Sequence, residues 1–286
     1  MYTVVNDNSA YNRTLGFHTR NTNAMNQSVH KLASGMKINS AGDDPSGYAY
    51  SESIRGQMRS LNQANSNVQN DVSLLKTAED AIANTVEIIQ TLKTRAIQAA
   101  NDTHTDDERE VIQMEVEQYL NQIDINSKIK FNKQSLIDGS KATDGLNFHI
   151  GGEANFAVTL KLNKMDSTAL GINNLNFSTR TGAESALNST DDRGNTVLGA
   201  LDNALNSALK EQAKLGAFEL RLGFTSDNIT SAVENLNDAD SAIRDTDVAK
   251  EMTTFVRYNI LMQASQMMLA QQNQSATSVF NLLQPI

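Results

Sequence analysis

Cysteine is absent from the 286 residues, so no disulfide framework and no thiolate metal site is available to this chain. Proline occurs only twice and tryptophan not at all. Between Gly56 and Gly139 there is neither Gly nor Pro, so nothing interrupts a helix by the usual means. Aromatic residues make up 5% of the chain against 39% hydrophobic overall, which leaves Leu, Ile, Val, Met and Ala to fill narrow helix seams rather than a thick core. Acidic residues outnumber basic ones 33 to 24, and no dense Lys/Arg cluster offers a groove for phosphates; no nucleic-acid partner is expected. No stretch approaches the roughly 20 uninterrupted apolar residues of a membrane helix, so no membrane association is expected either. The opening Met1-Tyr2-Thr3-Val4-Val5-Asn6-Asp7 lacks a basic stretch followed by an apolar one, which is not a classical secretory signal and by itself makes the cytoplasm the default.

Catalytic patterns are equally sparse. The four histidines, His18, His30, His104 and His149, are scattered, with neither HExxH nor a helical i,i+4 His pair. No GxSxG nucleophile elbow and no GxxxxGK[ST] loop is present, and Gly151-Gly152 reads as the turn of a hairpin. No catalytic, cofactor or metal residues are therefore assigned, and an enzyme is not expected.

What the chain does have is periodicity. From Ile54, alternating steps of four and three give Ile54, Met58, Leu61, Asn65, Val68, Val72, Leu75, Glu79, Ile82, Val86, Ile89, Lys93, Ala96 and Ala100, a heptad seam whose polar members can fix register. Asp44-Pro45 supplies an N-cap oxygen and a Pro at the first helical position, so a helix of roughly 80 Å is expected from Pro45 to Ala100. A thinner seam precedes it: Val4, Asn8, Tyr11, Leu15, His18, Thr22, Met25, Val29, Leu32 and Met36. That helix should be marginal alone, with a connector from Leu32 to Asp44. Thr105 and Glu108 form a capping box opening a third helix with seam Ile112, Val116, Tyr119 and Ile123. Alternation at Leu146, Phe148, Ile150 and at Phe156, Val158, Leu160, Leu162 predicts a β-hairpin. Ser178 to Asn195 is polar and reads as an exposed surface loop, open to O-linked sugars. Helical spacing returns in Leu201 to Ile243, through Leu236, and in Val248, Met252, Phe255, Met262, Leu269, Ala276, Phe280 and Leu283.

The expected fold class is mainly α: a long antiparallel helical coiled-coil bundle built from N- and C-terminal segments, with a small central region containing a β-hairpin. Each chain end offers a narrow apolar stripe that is buried only against another stripe, so the two ends should pair. This gives discontinuous domains: an inner terminal helix pair from 1–44 and 247–286, an outer helical rod from 45–140 and 196–246, and a β/loop tip from 141–195.

Lys31-Leu32-Ala33-Ser34-Gly35-Met36-Lys37-Ile38-Asn39-Ser40-Ala41-Gly42-Asp43-Asp44-Pro45-Ser46-Gly47, followed by Leu61-Asn62-Gln63-Ala64, resembles the N-terminal region of bacterial flagellins. A second match covers Asn235-Leu236-Asn237-Asp238-Ala239-Asp240-Ser241-Ala242-Ile243-Arg244-Asp245-Thr246-Asp247, then Ile260-Leu261-Met262-Gln263-Ala264, Leu269-Ala270-Gln271 and Leu282-Leu283-Gln284. The middle is short, so this is similar to a short flagellin without large outer domains.

The resemblance implies a subunit that polymerises into an extracellular flagellar filament for motility. It also implies export through the flagellum's own type III channel without a cleavable signal, which overrides the cytoplasmic default, and terminal helices that order on assembly. The implied partners are further copies of the chain, an export chaperone gripping Met262, Met267, Met268 and Phe280, and the filament cap and hook-junction proteins. The residues expected to pack subunits are Leu15, Met25, Val29, Leu32, Ile54, Leu61, Val68, Leu75, Ile82, Ile89, Leu236, Ile243, Met252, Phe255, Met262, Leu269 and Phe280. An immune receptor of animal hosts is implied to contact Gln90, Ile112 and Glu115. Thr91, Arg95 and Tyr119 depart from the pattern of strongly detected members, losing guanidinium donors and placing charge in an apolar contact, so weak activation is expected. Two alternatives stand beside this reading: a hook-filament junction protein, which shares the terminal helices, and a secreted coiled-coil effector or adhesin, which lacks the paired terminal motifs.

Overall fold

A computed structural model describes residues 9–153, 155–190 and 196–283. In chain order the elements are α1 (Ser9–Ser34), α2 (Pro45–Ala99), α3 (Asp106–Asn126), β1 (Lys130–Phe131), β2 (Gln134–Ser135), β3 (Leu146–His149), β4 (Ala157–Leu160), α4 (Arg180–Leu187), β5 (Asn188–Thr190), β6 (Thr196–Leu198), α5 (Ala200–Arg244) and α6 (Val248–Leu283). The strands form three two-stranded antiparallel ladders, β1 with β2, β3 with β4 and β5 with β6. The chain divides into two compact units, the described residues of Met1–Met58 with Glu234–Ile286, and Arg59–Val233.

In the Arg59–Val233 unit, α2 and α5 run antiparallel, and polar contacts from the seam positions Asn65 and Lys93 and from Lys76 beside the seam set their register. Ser226 donates to Asn65 Oδ1 at 2.7 Å, Lys76 pairs with Glu219 at 3.4 Å, and Lys93 pairs with Asp202 at 2.6 Å. A slip by a whole heptad would return apolar residues to the seam but break all three, which is why such polar contacts specify alignment. The apolar seam residues Val68, Leu75, Ile82 and Ile89 close onto Leu201, Leu215 and Leu222 of α5 and Ile112, Val116 and Ile123 of α3 in one buried core.

The α3 start is as its residues dictate: the Thr105 side chain accepts from Glu108 N, and the Glu108 carboxylate accepts from Thr105 N at 2.9 Å. The Thr105 backbone N–H, with the Thr105 hydroxyl beside it, holds the Glu108 carboxyl below the usual carboxylate range. Arg109, buried, donates from Nε to the Ala99 carbonyl at 2.8 Å and from a guanidinium nitrogen to the Asn101 carbonyl at 3.0 Å, closing the C-terminal end of α2.

In the hairpin, Leu146 and Phe148 face the core while Asn147 and His149 face out, and Leu160 of β4 completes the buried side. The following segment, residues 163–177, has no ladder partner. Side chains satisfy much of it, beside a backbone bond from Met165 N to the Ile137 carbonyl at 3.1 Å: buried Glu211 accepts from Asn163 N at 3.1 Å, Asp124 from Ser167 N at 2.8 Å, and Gln113 from Phe177 N at 2.7 Å.

One expectation is corrected here. Ser178 onward is not an irregular loop: the Thr179 side chain accepts from Gly182 N, opening α4, and Arg180 pairs with Asp102 at 3.0 Å and Glu184 at 2.9 Å. Ala183 and Ala186 are buried, a core-facing stripe of two small residues too slight to register as a helical period. Residues 191–195 of that stretch lie outside the described residues.

In the other unit α1 and α6 pack antiparallel. Gly35, at φ +73°, takes the left-handed conformation that ends α1. The connector is then fastened to the α5–α6 junction by Thr246 N to the Gly35 carbonyl (2.9 Å), Lys37 N to the Arg244 carbonyl (2.6 Å) and a Met36–Asp245 bridge. Asp44 caps α2, its Oδ1 accepting from Ser46 N and Gly47 N, both at 3.1 Å. A Cβ at position 47 would lie 2.5 Å from Asp44 Oδ2 and 2.8 Å from Ile38 Cδ1, so a larger residue there would displace the capping carboxylate or Ile38.

Candidate assembly surface

The terminal helix pair is built the wrong way round for a protein that works alone. Its inner face carries polar side chains: Thr14, Ser28 and Ser265 are buried, Gln272 Nε2 donates to Thr14 Oγ1 at 3.0 Å, and His18 Nδ1 lies 3.2 Å from Ser265 Oγ. Met25 and Leu32 of α1 and Phe255, Met262 and Leu269 of α6 are half-buried. Leu15, Phe17 and Val29 of α1 are exposed, as are Val248, Met252, Val256, Ile260, Leu261, Met267 and Met268 of α6. Met267 and Met268 are 71% and 62% exposed. Val248, Met252, Val256 and Ile260 follow at steps of four, a continuous ridge along one side of α6. The two ends pair as expected, but α6 is apolar on more than one face, and pairing with α1 covers a single face.

The seam of α2 behaves oppositely. Ile54, Val68, Leu75, Ile82 and Ile89 are buried within the chain itself, so they are closed to a neighbouring copy; they were expected to pack subunits, and they pack this one. Leu61 is half-buried against the core, and Leu236 and Ile243 are half-buried on α5. The side chain of Phe280 lies outside the described residues. Among the described residues no group of three His, Asp or Glu side chains is placed to hold a metal ion, and no helix is long and apolar enough to cross a membrane.

Comparison with known proteins names the family. Residues 5–142 match the bacterial flagellin N-terminal helical region and residues 198–283 the bacterial flagellin C-terminal helical region. The chain belongs to the bacterial flagellins. It is 39% identical over 282 residues to the flagellar filament 33 kDa core protein of Treponema phagedenis, covering 95% of each chain. It is 37% identical over 302 residues to the flagellin of Bacillus subtilis (strain 168), covering 98% of this chain and 99% of that one. A Vibrio parahaemolyticus structure assigned to the flagellar hook-associated proteins is alike in fold alone, with a TM-score of 0.57 at 13% identity over 71% of this chain and 100% of that one.

On this flagellin the residues expected to meet an immune receptor are not all on the surface. Gln90 is exposed on α2, but Ile112 is buried in the core of its own chain. Glu115 is occupied by Arg95, whose Nε lies 3.0 Å from its Oε2, while another Arg95 nitrogen donates to Gln98 at 3.0 Å. The Thr91 hydroxyl is spent on the Glu87 carbonyl at 3.0 Å, and Tyr119 packs half-buried against the core. The departures at Thr91, Arg95 and Tyr119 are therefore engaged in the fold. Sequence reasoning missed Arg109, Glu211 and Gln113, which hold backbone groups distant in sequence and leave no periodic trace.

Proposed function

We infer that this chain is the structural subunit of a bacterial flagellar filament, a motility polymer, and that it performs no catalysis. The observation that carries the reading is the outward apolar surface of α1 and α6. A soluble monomer rarely keeps a continuous apolar ridge in water, and each such side chain covered by a neighbour contributes on the order of 1–2 kcal/mol. Copies stacked along a common axis cover it. The terminal segments, 1–44 and 247–286, form the inner layer of the tube, the rod from 45–140 and 196–246 the next, and 141–195 its outer tip. Export unfolded through the flagellar type III channel places the subunit outside the cell, with a chaperone covering Met262, Met267, Met268 and Phe280 on the way; the filament cap and hook-junction proteins are its other partners.

The test is seeded growth of the purified full chain, viewed by electron microscopy, with Ile260→Asp and Met267→Asp as variants. The intact chain should elongate into long filaments, and the doubly substituted chain should stay monomeric with unchanged melting of its core. Filaments from the variant would overturn the inference. Growth that stops at a single bound layer would favour a hook-filament junction protein, the reading that the fold likeness to a hook-associated protein keeps alive.

Detection by the host receptor belongs to this proposal as well. With Glu115 tied to Arg95 and Thr91 in place of a guanidinium, activation is weak, and Thr91→Arg strengthens it in a reporter-cell dose response. Equal signalling by both proteins would remove the idea.

A further inference from the structure

The charges of the terminal pair are nearly all of one sign. Helices α1 and α6 hold five basic residues, Arg13, Arg20, Lys31, Lys250 and Arg257, against the single acid Glu251, so the pair is basic in a chain whose net charge is −9. None of the five is in an ion pair among the described residues, and Lys31, nearest the connector, also lies within electrostatic reach of Asp43. Arg13, Arg20, Lys250 and Arg257 are exposed.

The charges also share one face. On α1 the residues turned to α6 run through Thr14, Asn21 and Ser28 and through His18, Met25 and Leu32; on α6 those turned to α1 run through Glu251, Tyr258, Ser265 and Gln272 and through Phe255, Met262 and Leu269. Each basic residue stands one position before a member of these lines: Arg13 before Thr14, Arg20 before Asn21, Lys31 before Leu32, Lys250 before Glu251 and Arg257 before Tyr258. Both helices are right-handed and they run antiparallel, so the position before a contact residue falls on the same face of the pair from either helix. Phe17, Leu261 and Met268, all exposed, precede His18, Met262 and Leu269 and lie on that face too. Positions that follow the contact lines, such as Leu15, Val29 and Met252, carry no charge at all.

We propose that this basic and apolar face seats the unassembled chain on an anionic lipid surface, with both helices lying flat. Long Arg and Lys stems hold their charges at the phosphates while Phe17, Leu261 and Met268 press toward the acyl boundary. The expectation of no membrane association rests on the lack of a spanning stretch, and a helix that lies on a surface needs none. From Arg13 to Lys31 the face runs about 27 Å, so the attraction is spread over several headgroups and adds up charge by charge. An acidic protein would have to match these spacings, whereas mobile anionic headgroups gather under them. The proposal concerns the single chain and stands apart from the filament reading.

Co-flotation of the monomeric full chain with vesicles is the test. Vesicles of phosphatidylglycerol and phosphatidylcholine in roughly equal parts should bind it at least about tenfold more tightly than phosphatidylcholine alone, and about 0.5 M salt should abolish the difference. Arg13→Gln, Arg20→Gln, Lys250→Gln and Arg257→Gln together should weaken binding to the anionic vesicles at least about tenfold. Lys128→Gln, Lys130→Gln, Lys133→Gln and Lys210→Gln make the same change of net charge at exposed lysines of the Arg59–Val233 unit and should leave binding within about twofold of the parent. All eight positions are exposed, so circular dichroism of both variants should match the parent's. Equal binding to the two kinds of vesicle, binding to neither, or an equal loss in the two fourfold variants overturns the proposal. Seeded growth is read separately, so a chain that polymerises yet ignores the vesicles removes this proposal and leaves the filament reading standing.

Discussion

Asp71 sits on α2 with one carboxylate oxygen, Oδ2, buried and without a hydrogen-bond partner among the described residues. Burial pushes its pKa from 3.8 up to about 6. A carboxyl that titrates higher folded than unfolded binds its proton more tightly in the folded state. The contribution of this group to stability is therefore greatest below pH 3.8, falls as pH climbs to about 6, and stays reduced above it. The shift alone would correspond to about 3 kcal/mol, but the rest of the side chain keeps contact with water, and screening leaves about 1 kcal/mol. Asp71→Asn removes the charge and keeps the shape. It should raise the melting temperature by about 2–4 °C at pH 8 and leave it unchanged at pH 4. Melts followed by circular dichroism at both pH values check this, and an equal gain at each would show that the charge is not the cause.

Elements divide into those that announce themselves and those that do not. The capping box of α3 is local, four residues reciprocally satisfying two backbone N–H groups, and both halves are written in Thr105 and Glu108. Thr105→Ala should cost about 1 kcal/mol, seen as a lower denaturation midpoint with an unchanged slope, while Thr105→Ser should restore most of it. A silent Thr105→Ala would mean that Arg109 alone secures this corner. The spans of α2, α5 and α6 were similarly legible, because a seam that repeats over many turns outweighs local noise, and Asp44 with Pro45 marked the start of α2. What stayed hidden was held by single long-range contacts. The residues 163–177 depend on Gln113, Asp124 and Glu211, and α4 on two buried alanines and the Arg180–Asp102 pair, none of which forms a pattern along the chain. Which seams face inward was hidden for the same reason. The periodicity of Val68 to Ile89 and that of Met252 to Leu269 look alike in sequence, yet the first is closed by α3 and α5 of its own chain and the second by α1 on one side only.

At the scale of the whole molecule the two units solve opposite problems. Arg59–Val233 closes a core of its own, whereas the terminal pair buries Thr14, Ser28 and Ser265, half-buries Met25, Leu32, Phe255, Met262 and Leu269, and leaves many of its other apolar side chains exposed. Burying hydroxyls at the α1–α6 contact gains little from desolvation, so the pair is held weakly as a monomer and becomes secure only when its outer face is covered. On the function proposed above, assembly and firm packing of the ends would be one transition. Methionine reports on it directly, because a thioether oxidises at a rate set by its access to peroxide. Met267 and Met268, exposed in the single chain, should be converted to sulfoxide readily in the monomer and at least about tenfold more slowly in the filament. Met165, buried in the core of the Arg59–Val233 unit, should be slow in both. Mass spectrometry of peptides after a brief peroxide pulse separates the three. Equal oxidation of Met267 and Met268 in monomer and filament would mean that the far side of α6 remains in water after assembly, and the stabilisation of the polymer would then have to come from the rod alone.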